Sequence, residues 1–218
     1  MSDARLPALI FDCDGVLIDS EFLASRVESE VGRDVGLTLS VDEAHDLFLG
    51  KTVDGVLDAI ATRTGKRPSS AWVYNWAFAT AHAFVRELKA VDGVGVAVET
   101  LRRRGHQMAV ASQSPLARVR LSLQVAGLAG QFGDHIYVTS MVARPKPAPD
   151  IYLLAAERLG ASPQDCIVIE DSPAGAAAAR GAGMRVIGYA PDQADGAMHT
   201  AGVTVIRSMH QLIAAIDS

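Results

Sequence analysis

The sequence contains only two cysteines among its 218 residues, Cys13 and Cys166. It has no C-x-x-C pair and no histidine-rich cluster, so it predicts neither a disulfide framework nor a structural zinc site. Both cysteines lie in apolar stretches, which favours buried small side chains over nucleophiles. No segment approaches the ~18 consecutive apolar residues of a membrane span, and no basic segment followed by a long apolar run opens the sequence. We therefore expect a cytoplasmic protein with no membrane partner.

An excess of basic residues is also missing. The formal net charge is -5, so the electrostatic footprint of a nucleic-acid binder is absent and no nucleic-acid partner is expected. The densest basic run, "LRRRG" at 101–105, is interpreted as the solvated face of a helix. Hydrophobic residues make up 49% of the chain, which is enough for one large domain, or for one domain with a smaller insert. This single-unit organisation favours a monomer.

Short runs rich in valine, isoleucine and alanine alternate with helical stretches along most of the chain. The runs are "PALIFDCD", "QMAVASQS", "HIYVTS", "DCIVIEDS", "RVIGYA" and "VTVIRS". Continuous apolar runs of this length are typical of strands covered on both faces of a parallel sheet. The sequence therefore predicts an α/β fold with a doubly wound parallel sheet.

The alternation is interrupted once, from about Ser20 to Leu88, where only helical patterns occur. "SVDEAHDLFLG" has Ser40 and Glu43 at the spacing of a capping box, and "SSAWVYNWAFATAHAFVREL" is rich in aromatics. We predict a helical insert at residues 19–88, between two parts of an α/β core at 1–18 and 89–218. Trp72 and Trp76 would share one helix face, and packing in or beside the insert is favoured over a ligand stack.

Polar side chains follow several of the predicted strands at the point where each strand ends. Because the carboxyl ends of parallel strands meet at one sheet edge, these side chains should converge. They are Asp12 and Asp14 after the first strand, Ser112 and Gln113 after the second, and Glu170 and Asp171 after a later strand, with Lys146 on the loop "RPKPAPD". Taken singly, the aspartates could be turn residues or helix caps, the serine a helix cap, and the lysine an exposed loop residue.

Several carboxylates at one sheet edge would raise one another's pKa unless a cation lay among them. Their hard oxygen atoms suit Mg²⁺ better than zinc. With Mg²⁺ present, Asp12 could act as a covalent nucleophile toward phosphorus, and Asp14 could protonate the leaving oxygen and later deprotonate water. Lys146 and the Ser112 hydroxyl could hold the charge of the transferring phosphoryl group. The sequence thus predicts phosphate chemistry.

Four sequence motifs resemble those of the haloacid dehalogenase superfamily, in its β-phosphoglucomutase-like branch with a helical cap after the first motif. They are "DCDGVLIDSE", "VASQS", "RPKPAPD" and "VIEDSPAG", and their order and spacing match over essentially the whole chain. The resemblance implies a Mg²⁺-dependent phosphotransferase that forms an aspartyl-phosphate. It implies a small phosphate ester as substrate.

The same resemblance assigns roles to individual residues. Asp12 would be the nucleophile, Asp14 the acid/base, and Ser112 and Lys146 the phosphate binders. The metal would be held by Asp12, by the backbone carbonyl of Asp14 and by Asp171, with Glu170 reaching it directly or through water.

The hinge into the cap separates two reactions of this branch. Enzymes resembling β-phosphoglucomutase carry a hinge histidine, whereas "DSEFLASRVE" has Ala24 at the corresponding place and no histidine. This favours a sugar-phosphate phosphatase, acting for example on 6-phosphogluconate or a hexose 6-phosphate, and leaves a hexose phosphomutase as the alternative. Dehalogenation is disfavoured, because haloacid dehalogenases lack the aspartate at the Asp14 position.

Gln113 and Lys51 are further candidates for contacting the substrate, and Lys51 could reach its phosphate or a carboxylate. Gln113 stands where this branch usually has asparagine, so its amide reaches about one bond length farther. Lys51, in "LGKT", falls where the cap usually offers a glycine and a polar or basic contact. An exposed lysine at a helix start is the alternative interpretation of Lys51.

Overall fold

The computed structural model describes residues 6–191, Met198 and residues 203–218. A six-stranded parallel sheet forms the centre of the described chain, with strand order β5-β4-β1-β6-β7-β8. Its strands are β1 (Ala8–Phe11), β4 (Met108–Ser112), β5 (Ile136–Val138), β6 (Cys166–Glu170), β7 (Arg185–Tyr189) and β8 (Val203–Ile206). Each of the six apolar runs contains one of these strands, so the predicted parallel α/β fold is confirmed.

Helices cover both faces of the sheet. Alternate strand residues point to opposite sides, so both faces carry apolar side chains that need a covering layer. In β1, Leu9 and Phe11 enter one apolar cluster, and Ala8 and Ile10 enter the other. The first cluster lies under α5 (Val94–Arg104), α6 (Leu116–Val125), α7 (Ala129–Phe132) and α10 (Leu212–Asp217), and the second lies under α8 (Asp150–Leu159) and α9 (Pro173–Gly181). Both cysteines are free and buried, as expected.

The interrupted region of the sequence folds into four helices with an apolar core of their own. They are α1 (Glu21–Gly32), α2 (Val41–Phe48), α3 (Val53–Thr64) and α4 (Ser70–Glu87). The predicted capping box is present: the Ser40 hydroxyl accepts from the Glu43 amide, and the Glu43 carboxylate accepts from the Ser40 amide. Trp72 and Trp76 share a buried face of α4 with ring centroids 5.6 Å apart. We call these four helices the cap.

A short antiparallel ribbon joins the cap to the sheet, and the sequence pattern did not indicate it. Strand β2 (Ile18–Asp19) pairs with β3 (Lys89–Ala90) at both of its residues. Two-residue strands have no hydrophobic period to detect, so their pairing depends on tertiary structure. The chain therefore enters and leaves the cap through adjacent strands.

Within the described residues, none of the helices combines the length and the apolar character needed to cross a membrane. The cytoplasmic location and the monomeric state stay predictions.

Candidate active site

A cavity of about 690 Å³ lies where the carboxyl ends of the sheet strands face the cap. Ligands of parallel α/β proteins bind at this edge because the loops that leave the strands converge there. The cavity wall includes seven of the eight predicted site residues, six of them outside the cap: Asp12, Asp14, Ser112, Gln113, Lys146 and Asp171. Lys51 of the cap also lies on the wall, whereas Glu170 lies behind it with no exposed surface.

Asp12 and Lys146 form a buried ion pair at the centre of this edge. The Lys146 Nζ donates to Asp12 Oδ1 at 2.6 Å, to Glu170 Oε1 at 2.6 Å and to the Ala111 carbonyl at 3.1 Å. Burial opposes the charge of Lys146, but Asp12 and Glu170 hold its pKa well above the ordinary value. Burial raises the pKa of Asp12 to about 7, although Lys146 acts to lower it. Lys146 is therefore a fixed cation beside Asp12 and not an exposed loop lysine.

Glu170 is held by four donated hydrogen bonds. Its Oε1 accepts from Lys146 and from the Tyr152 hydroxyl at 2.7 Å, and its Oε2 accepts from the Ser172 amide and hydroxyl, both at 2.9 Å. Burial acts to raise the pKa of Glu170, but Lys146 and the hydrogen bonds bring it below the usual range. Glu170 therefore orients Lys146 and the start of α9.

The start of α9 leaves room for Glu170 because residue 175 is glycine. Ser172 is the N-cap, Pro173 opens the helix, and the Ser172 hydroxyl accepts from the Gly175 amide at 3.1 Å. A β-carbon at Gly175 would overlap the Glu170 carboxylate. The position is therefore restricted by the site and not by helix formation.

We expect Gly175→Ala to lower kcat/KM for the phosphate-ester hydrolysis that the sequence predicts at least tenfold, because the added methyl displaces Glu170 and with it Lys146. The matched control is Gly181→Ala in the same helix, where a β-carbon would meet only Pro149 at 3.8 Å. Steady-state kinetics of both variants, with thermal melts to verify folding, provide the measurement. Equal kinetics for the two variants would contradict the role given to Glu170.

Asp14 points its carboxylate away from Lys146, into a separate network. Asp14 Oδ1 accepts from the Ser20 hydroxyl at 2.6 Å and from Arg118 at 3.0 Å, and Oδ2 accepts from the Ser114 hydroxyl at 2.7 Å. Burial acts to raise the pKa of Asp14, but Arg118 and the hydroxyl donors lower it below the ordinary value. Neighbouring aspartates thus occupy opposite electrostatic environments, which fits two different chemical roles.

Gly15 allows the chain to turn directly after this pair. Its φ is +76°, and a β-carbon there would overlap the Asp171 carboxylate. Burial raises the pKa of Asp171 well above its ordinary value, and Glu170 and Asp12 add to the effect. The Glu21 carboxylate, at the start of α1, lies beside that of Asp171 next to Gly15.

The residues present fit a bound divalent cation. Asp12, Glu170 and Asp171 each offer a carboxylate oxygen within 4.8 Å of the others, and Asp12 and Asp171 line the cavity. Burial is the largest cause of the raised pKa of Asp12 and of Asp171, and the Glu170 carboxylate adds to it in both. Oxygen-only donors of this kind suit a hard cation.

The remaining predicted residues lie between the sheet and the cap. Ser112 is buried, and its hydroxyl accepts from the Ser114 amide at 3.0 Å. Gln113 donates to the Gly50 carbonyl of the cap at 2.6 Å, while its Oε1 is buried without a partner among the described residues. Lys51, next to Gly50, is exposed at the cavity wall.

Comparison with known proteins identifies the family. A model of the haloacid dehalogenase-like hydrolases matches residues 6–183. The chain belongs to the haloacid dehalogenase-like hydrolases. The predicted family and the predicted class of enzyme, a hydrolase, are thus confirmed.

Relatives of this haloacid dehalogenase-like hydrolase include two phosphatases of Escherichia coli (strain K12). The 6-phosphogluconate phosphatase is 28% identical over 212 residues, which cover 96% of this chain and 94% of that protein. Hexitol phosphatase B is 34% identical over 185 residues, covering 84% and 83%. A crystal structure of a haloacid dehalogenase family hydrolase from Deinococcus radiodurans R1, with bound phosphate and sodium, is 35% identical with a TM-score of 0.76 and covers 98% of this chain and 96% of that one.

Several residues of this hydrolase were not found from sequence. Arg118 and Tyr152 lie inside helical patterns, where their spacing indicates only solvent-facing or core positions. Glu28 and His45 of the cap line the same cavity, although no motif contains them. Only the folded chain brings these residues to Asp14 and Asp12.

Proposed function

We propose that this chain is a Mg²⁺-dependent phosphatase of small phosphorylated metabolites, acting through an aspartyl-phosphate on Asp12. Sugar phosphates such as 6-phosphogluconate or a hexose 6-phosphate are the expected substrate class. The observation that carries the proposal is the Asp12–Lys146 pair, buried beside Glu170 and Asp171 at a cavity large enough for a sugar phosphate. The phosphatase names of two relatives support it.

In the first step Asp12 attacks phosphorus, and the bond to the leaving oxygen breaks. Lys146 and the Ser112 hydroxyl bind the phosphoryl oxygens, whose charge is spread in the transition state. Three acceptors fix the position of Nζ and take up all three of its N–H donors, so the N–H donated to Asp12 would turn to a phosphoryl oxygen as Asp12 attacks. Little reorganisation is then needed when charge develops.

Asp14 protonates the leaving oxygen in the first step. It then takes a proton from the water that attacks the aspartyl-phosphate, so that inorganic phosphate and free Asp12 are released. The donors from Ser20, Ser114 and Arg118 favour the charged form of Asp14. The acid step therefore requires a substrate oxygen to replace at least one of these donors.

The metal would be held by the carboxylates of Asp12 and Asp171 and by the backbone carbonyl of Asp14. When bound, the cation offsets the negative charge of these groups and of the phosphate. The oxygens of Glu170 already accept hydrogen bonds from Lys146, Tyr152 and Ser172. We propose that Glu170 does not ligate the metal directly and instead positions the residues around it.

We place the cap at residues 19–88, inserted between the two parts of a core formed by residues 1–18 and 89–218. The cap covers the substrate and excludes water. The Gln113–Gly50 hydrogen bond joins the cap to the core beside the cavity. Lys51 follows Gly50 and is our candidate for a contact to the substrate's phosphate.

We expect phosphate release from a panel of esters to require Mg²⁺. The panel contains glucose 6-phosphate, 6-phosphogluconate and p-nitrophenyl phosphate, each assayed with Mg²⁺ and with excess chelator. Chelation should lower turnover at least tenfold, because it leaves the carboxylates uncompensated, and added Mg²⁺ should restore it. Undiminished turnover in chelator would contradict the metal assignment.

A hexose phosphomutase is the second candidate, and His45 is the observation that favours it. Its Nδ1 lies 3.4 Å from the Ser25 hydroxyl of α1, and both residues line the cavity. The cavity therefore contains a histidine side chain, although the hinge into the cap lacks the histidine typical of the mutases. Conversion of β-glucose 1-phosphate to glucose 6-phosphate without free phosphate would identify a mutase, and release of phosphate alone would exclude it.

A further inference from the structure

The cap side of the cavity carries polar groups that the phosphate chemistry does not use. Glu28 of α1, Trp76 of α4 and Arg118 of α6 line the wall there. Both cap residues are more than nine-tenths buried. We call these three residues the polar wall.

Glu28 is a buried carboxyl with little local compensation. Burial raises its pKa to about 7, although the nearby charge of Arg118 acts to lower it. Arg118 itself is engaged by Asp14 at 3.0 Å. No hydrogen bond from the described residues reaches the Glu28 side chain. Burying an acceptor in this state costs stability, and an apolar side chain would fill the position at lower cost.

Two donors of the polar wall are also unpaired. Trp76 Nε1 and Arg118 Nε are buried without a hydrogen-bond partner among the described residues. Trp72, one turn earlier in α4, differs because its Nε1 donates to the Val31 carbonyl at 2.9 Å. Trp72 therefore has a structural contact where Trp76 has none. Buried polar atoms are normally paired, so unpaired ones at a cavity wall indicate a ligand that completes them.

We propose that the polar wall binds the hydroxyl groups of an uncharged polyol or sugar chain, and that Glu28 rejects substrates with a carboxylate in its place. The proposal rests on the phosphatase function proposed above and narrows its substrate class. A hydroxyl can donate to Glu28 and accept from Trp76 or Arg118 at the same time. A carboxylate only accepts, and it would meet the negative charge of Glu28 with Asp14 nearby.

Two esters that differ only at carbon 1 test this inference. Glucitol 6-phosphate ends there in a hydroxymethyl group and 6-phosphogluconate in a carboxylate. At pH 8 with Mg²⁺, we expect kcat/KM of the wild-type chain to favour glucitol 6-phosphate at least tenfold. In Glu28→Gln the ratio should fall to within about threefold of unity, through a lower KM for 6-phosphogluconate, since an amide can also donate to a carboxylate.

Glu30→Gln is the matched control, because Glu30 lies on the same helix with its side chain exposed. It should keep the wild-type ratio. Trp76→Phe keeps an aromatic ring and removes the Nε1 donor, so it should raise KM for glucitol 6-phosphate at least threefold. This second variant tests the polar wall without changing its charge.

The inference is overturned if the wild-type chain hydrolyses 6-phosphogluconate as well as or better than glucitol 6-phosphate, or if Glu28→Gln keeps the wild-type ratio. Turnover of p-nitrophenyl phosphate separates this result from failure of the proposed function. Hydrolysis of p-nitrophenyl phosphate with no preference for the polyol ester rejects the polar wall alone. No hydrolysis of any ester rejects the phosphatase function and the inference together.

Discussion

Asp12→Asn should abolish turnover, with a fall in kcat of about 10⁴-fold or more, because an amide cannot form the acyl-phosphate. The substitution keeps the size of the side chain and removes one of the carboxylates around Lys146. Lys146 keeps its ion pair with Glu170 in this variant, so loss of the Asp12 charge should leave the fold intact. Phosphate release and a thermal melt, each with Mg²⁺ present, measure the two effects.

The control for this variant is Asp134→Asn, which makes the same chemical change at an exposed position. It should retain wild-type kinetics and stability. Trapping of radiolabelled phosphate on the wild-type chain, and not on Asp12→Asn, would identify the residue that carries the intermediate. Turnover within tenfold of wild type in Asp12→Asn would contradict nucleophilic catalysis by this residue.

Lys146→Met should both inactivate and destabilise the protein. It removes the cation that we propose binds the phosphate, for which we expect a loss of kcat/KM of about 10³-fold. It also leaves Asp12 and Glu170 buried without their shared partner, which costs about 3–5 kcal/mol. For a chain of this length that corresponds to a fall in Tm of roughly 6 to 20 °C.

The stability loss in Lys146→Met should increase with pH. Lys146 lowers the pKa of both Asp12 and Glu170, so both values rise when it is removed. A carboxyl whose pKa is higher in the folded state binds more protons there, and stability then falls as the pH rises. The decline runs from the ordinary carboxyl pKa near 4 to beyond 7, because Asp12 reaches about 7 even with Lys146 in place.

Denaturant titrations of Lys146→Met at pH 5 and pH 8 check this dependence. Lys66→Met, at an exposed position in the cap, should show wild-type stability at both values. Equal destabilisation of Lys146→Met at the two pH values would show that the buried carboxylates do not depend on Lys146 for their charge.

The sheet and its catalytic edge could be predicted because they follow from local patterns. A buried parallel strand is a continuous apolar run, and the residue after it must lie at the sheet edge, which brings Asp12, Ser112 and Asp171 to one place. The start of α9 was equally local, since Ser172 and Pro173 carry a helix-start signal. The motif around Lys146 identified it as a site residue, but nothing in the sequence indicated that its side chain would be deeply buried.

The polar wall could not be predicted, because its residues are unremarkable in their own segments. The sequence pattern does not say which face of its helix Glu28 occupies. For Trp76 the pattern predicts a place in the cap core, and Trp76 does lie in that core. The hydrogen bond from the Gln113 amide nitrogen to the Gly50 carbonyl of the cap could not be predicted either. Contacts between distant helices depend on how the cap packs against the sheet, and no spacing in the sequence encodes that.

The β2–β3 ribbon makes the cap a replaceable module. Ile18 pairs with Ala90 and Asp19 with Lys89, so the two ends of the cap lie side by side at one junction with the core. Helices of another length or composition can be grafted between the same two strands while Asp12 and Lys146 stay in register. New substrate preferences can therefore arise by exchange of one contiguous segment, with the phosphate chemistry inherited unchanged.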